Sequence, residues 1–243
     1  MNAELAIERL YNILLTGDRQ AARQLCLGLR SNSTTCEDVS HNVYWPILSM
    51  LYQQRKGDQI TTLAFNYATR LMRSIVDGWR AGYTHAPRNG KTVLIYSGEG
   101  EVEDMSAQLV ADLVESAGWT VQFAGGGIAA DEIIHEAGNL QPDALVIWAP
   151  LGSNVPAVRS LIDTLRTRGA YPDMPVICGG GIFCRAEGLA DEVGADATAT
   201  TPGALIHELD GVDRAAVRAS RLNAALPTNA ARRQRIQQQR AAA

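Results

Sequence analysis

After residue 91 the chain alternates short apolar runs with longer amphipathic ones, and this rhythm limits its fold more than any other feature. "TVLIYS" reads as a buried strand, "EDMSAQLVADLVESAG" as a helix, "WTVQFAG" as a strand and "AADEIIHEAGNL" as a helix. "DALVIWAP", "VPAVRSLIDTLRTRG", "MPVICGG" and "RAEGLADEVG" repeat the alternation, and "ADATAT" with "PGALIHELDG" closes it. Parallel neighbours need a crossover, and a helix is the usual one. Five strands alternating with helices therefore predict an α/β fold, a Rossmann-like (flavodoxin-like) five-stranded parallel sheet with flanking helices. Ligands on such sheets sit beyond the carboxyl ends of the strands.

Residues 1–81 have a different period. "AELAIERLYNILL" sets Leu5, Ile7, Leu10, Ile13 and Leu14 along one face, and a second helix opens after Thr16-Gly17-Asp18. A third run contains Pro46, which should start or kink its helix. "QITTLAFNYATRLMRSIVDGW" is the fourth run, so a four-helix bundle is predicted. The expected units are a helical cap over 1–81, a linker over 82–91, the sheet domain over 92–210 and a basic helical or disordered tail over 211–243. From residue 213 that tail has seven Arg against one Asp. Its plain reading is a solvated extension.

Hydrophobic residues make up 46% and charged ones 20%, enough apolar content to bury a core. A net charge of −4 argues against a general nucleic-acid surface, leaving only indirect contact or contact through the tail. No apolar run approaches the roughly 18 residues a membrane span needs, so a cytoplasmic protein without a membrane partner is expected. Cys26, Cys36, Cys178 and Cys184 form no C-x-x-C pair and read as core thiols rather than metal ligands. No nucleophile stands beside a base in sequence, and a catalytic role is not expected.

The loop "YSGEGEVEDMS" after the first strand is where a ligand would be gripped. It is not a dinucleotide fingerprint, because Gly98 and Gly100 are not followed by a third glycine at the required spacing. Glu99, Glu101, Glu103 and Asp104 would also repel a diphosphate. A phosphoacceptor receiver domain would need an Asp after the third strand and a Lys after the fifth; "VIWAPLGSN" and "TATTPG" supply neither.

Helical cap, linker and five-stranded sheet, in that order, resemble the cobalamin-binding module of methionine synthase, corrinoid carrier proteins and cobalamin-dependent photoreceptor regulators. The resemblance spans about residues 5–210 and rests on "LLTGDRQAARQL", "AQLVADLVESAGWTV", "VPAVRSLIDTLR", "MPVICGGG" and "ADEVGADATA" in order. The family motif D-x-H-x-x-G places a His below cobalt and an Asp behind it. Here the resemblance puts Glu101 at the Asp, Glu103 at the His and Ser106 at the Gly, with Asp104 and Met105 between. A carboxylate is a hard donor and a poor replacement for that imidazole. The slot for the cofactor's displaced nucleotide tail is implied at Gly179, Gly180 and Gly181, which match. It is also implied at Trp148 and the following Leu151 and Ser153, where an indole replaces a serine. On the cap, Tyr52 falls where the photoreceptor branch has an upper-face Trp, and Phe65-Asn66 where it has Glu-His.

The resemblance implies a corrinoid bound with its own base attached, another tetrapyrrole, or no ligand. The main expectation is a sensory regulator that acts through a protein partner such as a transcription regulator. A corrinoid carrier of a methyltransferase system and a ligand-free interaction module, monomeric or oligomeric, are the alternatives.

Overall fold

A computed structural model describes residues 2–30, 35–167 and 173–211, with 213, 214 and 217; the side chain of Glu101 is outside this set. The basic tail predicted from 211 on lies almost wholly outside the described residues. The helical layer comprises α1 (Ala3–Thr16), α2 (Arg19–Arg30), α3 (Cys36–Val39), α4 (Trp45–Lys56) and α5 (Thr62–Trp79). Gly17 ends α1 in the left-handed region at φ 71°, and the Asp18 carboxylate accepts the N–H groups of Gln20 and Ala21 to start α2. Pro46 falls at the start of its helix. A π-helical turn, Ser40–Tyr44, carries α3 into α4 with the proline in the first turn, where its missing N–H costs little.

The sheet layer runs β1 (Thr92–Ser97), α6 (Glu101–Ser116), β2 (Thr120–Gly125), α7 (Ala130–Leu140), β3 (Ala144–Trp148), α8 (Val155–Thr167), β4 (Val176–Gly179), α9 (Leu189–Glu192), β5 (Ala197–Ala199) and α10 (Pro202–Gly211). All five strands are parallel in the order β2-β1-β3-β4-β5, the predicted doubly wound sheet. Helix α9 falls short of its expected length because left-handed Gly188 and Gly194 confine it to a single turn, and β5 keeps only three residues of "ADATAT".

Strand alternation divides the core. Val93, Ile95, Val146 and Trp148 pack toward α6 and α10, while Leu94, Leu145 and Ile147 pack toward α7 and α8. Helix α6 is buried on nearly every side, and both of its faces are used. Ala107, Val110, Ala111 and Val114 lie on the sheet, whereas Met105, Leu109 and Leu113, spaced i, i+4, i+8, belong to the helical layer's core. The cap is therefore fastened to the flank of α6 and overhangs the carboxyl edge of the sheet. No helix among the described residues is long and apolar enough to cross a membrane.

Candidate functional site

Where the cap overhangs that edge, a cleft forms. Trp45, Leu48, Ser49 and Tyr52, at i, i+3, i+4, i+7 of α4, make its roof; Val102, Glu103 and Ser106 of α6 make one wall; Ala149, Gly181, Cys184 and Arg185 make the floor and far wall. Its mouth is closed by a contact between layers. The Arg185 guanidinium lies 4.7 Å from the Tyr52 ring centre and donates to the Tyr52 hydroxyl at 2.9 Å. The cleft encloses about 150 Å³, below the roughly 300–1,000 Å³ of pockets for drug-sized ligands. A large flat ligand therefore enters only if the roof swings away. A bigger recess of about 500 Å³ lies on the α7 face of the sheet beside Leu94, Tyr96 and Ile133. Its polar rim is a set of exposed side chains on one helix, and it is not where loops from several strands converge.

The floor is built from backbone in close contact. A Cβ on Gly98 would meet the Ala149 carbonyl oxygen at 2.6 Å, and one on Gly181 would meet Ala149 carbon at 2.6 Å. Gly180 and Gly181 take φ of 62° and 49°, and Ala149 itself is held at φ 53°. Only glycine tolerates both demands at these positions, so the triplet "GGG" is explained by internal packing. Trp148 completes the arrangement. Its indole is fully buried and lies against Gly179 and Gly180, where a Cβ on the latter would sit 2.9 Å from Cε2 and Nε1. Trp45 covers it from the cap at 5.7 Å between ring centres, and the indole Nε1 has no hydrogen-bond partner.

Of the residues singled out in the sequence, Tyr52, Glu103, Ser106 and Gly181 line the cleft. Trp148, Gly179 and Gly180 lie beneath it as packed floor. Asp104 is turned away and pairs with Arg73 of α5 at 3.1 Å, while Met105 is buried against the cap. Half-buried Leu151 and exposed Ser153 are on the turn leading into α8, off the cleft. Glu101 opens α6. Phe65 is half-buried beneath Arg55, and Asn66 is exposed; neither lines the cleft. Of the cysteines, Cys26 and Cys178 are buried as core thiols, but Cys36 is half-buried and Cys184 is exposed at the cleft. Trp45, Leu48 and Arg185 were not anticipated. The first two share a helix face with Tyr52, a spacing the sequence shows; the approach of Arg185 depends on tertiary structure alone.

Glu103 is 7% exposed, and burial raises its carboxyl above the ordinary range against the opposing pull of its own N–H and of Arg185. The Ser106 hydroxyl donates to the Glu103 carbonyl at 2.8 Å, which fixes this turn. His41, His85, His135 and His207 all lie away from the cleft lining. The polar groups lining the cleft thus include a partly desolvated carboxylate, a guanidinium, a phenol, a thiol, an amide and two hydroxyls, with no imidazole among them.

A helix-capped, doubly wound sheet with its cleft at the strands' carboxyl edge defines a class of small-molecule-binding α/β proteins. Residues 91–206, the sheet layer of this chain, match the family described as the B12 binding domain. Dimethylamine corrinoid protein 1 of Methanosarcina acetivorans is 28% identical over 98 residues, 40% of this chain and 45% of that one. Dimethylamine corrinoid protein 3 of Methanosarcina mazei is 29% identical over 98 residues, 40% of this chain and 58% of that one. The chain thus matches only about half the length of these relatives. The structure of the monomethylamine corrinoid protein of Methanosarcina barkeri, 13% identical, superposes with a TM-score of 0.64 over 87% of this chain and all of that one, a likeness of fold that includes the cap. These relatives correct the main functional expectation. The proteins matched are named corrinoid proteins, and the sensory regulator acting on transcription is set aside in favour of the carrier alternative.

The site fits a corrinoid in part. The cleft has the right place and an aromatic, apolar roof. It has no imidazole to offer a metal, and the space beside Gly179 and Gly180 is filled by Trp148.

Proposed function

We propose that this chain is a corrinoid carrier protein that holds its cofactor base-on between cap and sheet and works with a methyltransferase partner. The observation that carries this reading is the B12 binding domain match over 91–206, joined to a helical cap whose overhang makes a cleft at the strands' carboxyl edge. The dimethylamine corrinoid relatives support the carrier role and the partner class. When bound, the corrinoid supplies the centre that carries the methyl group. The chain's residues would do the holding: Trp45 and Tyr52 from the cap, the Glu103 carboxylate and Ser106 from α6, and Arg185 through its contact with Tyr52. In this role the protein presents a cofactor to an enzyme and is not itself the catalyst.

The test is to incubate the full chain separately with hydroxocobalamin and with heme, remove unbound ligand by gel filtration, and record visible spectra. A corrinoid spectrum at one equivalent per chain, with no Soret band, is expected. A colourless protein, or a Soret band alone, contradicts the proposal.

A further inference from the structure

On the outer face of the cap, two helix stripes form a groove that the cleft does not use. Along α2, Arg19, Arg23, Cys26, Leu27 and Arg30 recur at i, i+4, i+7, i+8 and i+11; along α5, Leu71, Ser74, Ile75, Gly78 and Trp79 recur at i, i+3, i+4, i+7 and i+8. Between them lies a recess of about 300 Å³. Its length follows from helix rise: the arginine stripe spans roughly 16 Å, about three helical turns. Leu27 on its lip is 65% exposed, the most of any large hydrophobic residue among those described. Trp79 forms part of the wall, with the Arg30 guanidinium 4.8 Å from its ring centre. A Cβ on Gly78 would meet nothing within 4 Å, so the groove is open there to an approaching chain.

Charge selects what would fill it. Helix α2 contributes three arginines and no acid, no acidic residue lines the recess, and the chain as a whole is at −4. The chain's own C-terminal segment, with seven Arg against one Asp from residue 213, has the same sign as the groove. A second copy docked face to face would set two arginine stripes against each other. Both are opposed by like-charge repulsion. We infer that the α2–α5 groove is a docking surface for an acidic amphipathic helix of a partner protein. Apolar side chains of that helix would cover Leu27 and Ile75, and its carboxylates would face Arg19, Arg23 and Arg30. This inference is independent of which ligand the cleft holds.

The probe is a fluorophore-labelled, end-capped 14-residue helical peptide with leucines on one stripe and glutamates on both flanks. A control peptide carries lysine for every glutamate. Anisotropy titration of the full chain should show the acidic peptide binding at least about tenfold more tightly than the control, with affinity falling as salt is added. In the Arg19→Glu/Arg23→Glu double variant, with helicity checked by circular dichroism, the acidic peptide should weaken about tenfold. Leu27→Asp should weaken the acidic peptide, by removing apolar contact and by adding a like charge. Equal binding of the two peptides, no binding of either, or an affinity indifferent to Leu27→Asp overturns the inference. So does a wild-type dimer in sedimentation that Leu27→Asp dissociates, because a second copy would then be the occupant. Should the double variant fail to fold, the two-peptide comparison and its salt dependence on the wild-type chain still decide.

Discussion

The cap meets the sheet layer in two places, and the two contacts are built differently. Along the flank of α6, Met105, Leu109 and Leu113 are at most 1% exposed and join the bundle core directly. A few ångströms of chain away, at the carboxyl edge, the same layers face each other across a cleft spanned by one polar contact, Arg185 to Tyr52. The first is an anchor stabilised by burial; the second is a latch between half-exposed groups. A protein whose ligand enters under the cap needs this inequality. The anchor keeps the layers together while the latch opens.

The largest effect is expected at the anchor. Leu109→Ala should lower unfolding stability by about 2–5 kcal/mol in urea titration. A loss near zero would mean that the cap is not fastened there. Next comes Asp112, which is buried on α6 with one oxygen unpartnered and the other 3.4 Å from Arg80. Burial pushes its carboxyl up to about 6 from the ordinary 3.8, with Arg80 opposing and Glu115 and Asp77 adding. Because the folded-state value is raised, the stability tied to this group is fully present below about pH 4 and is lost as pH rises through about 6. Asp112→Asn should flatten that slope and raise stability at pH 7 by on the order of 1 kcal/mol; an unchanged pH profile would contradict it. The smallest stability effect is expected at the latch. Arg185→Ala should cost under about 1 kcal/mol, yet stopped-flow mixing should show faster corrinoid entry and release. If entry is unchanged, the roof is not held by that contact.

Much of this was legible in the sequence because it is local. Strand runs, helix periods and the place of Pro46 at a helix start are set by neighbours within a few residues, and the resemblance supplied the order of layers. What escaped was contact between distant segments. The apolar residues of "EVEDMSAQLVADLV" fall on more than one side of a helix, but only the fold shows that Met105, Leu109 and Leu113 anchor the cap. Trp148 could be flagged as an indole in the wrong place, but not as a ring lying on Gly179 and Gly180. Asp104 read as part of the ligand loop, and in the structure its carboxylate is taken by Arg73. Arg185, in a nondescript turn, gave no signal at all.

The central claim is that the axial nitrogen below the metal comes from the corrinoid and not from this chain. It can be tested on protein produced with ¹⁵N-histidine, loaded with cobalamin and reduced to the cobalt(II) state. The electron paramagnetic resonance spectrum should show the three-line splitting of a single ¹⁴N, identical to that of unlabelled protein. A two-line ¹⁵N splitting would place one of the chain's own imidazoles on the metal and contradict the account.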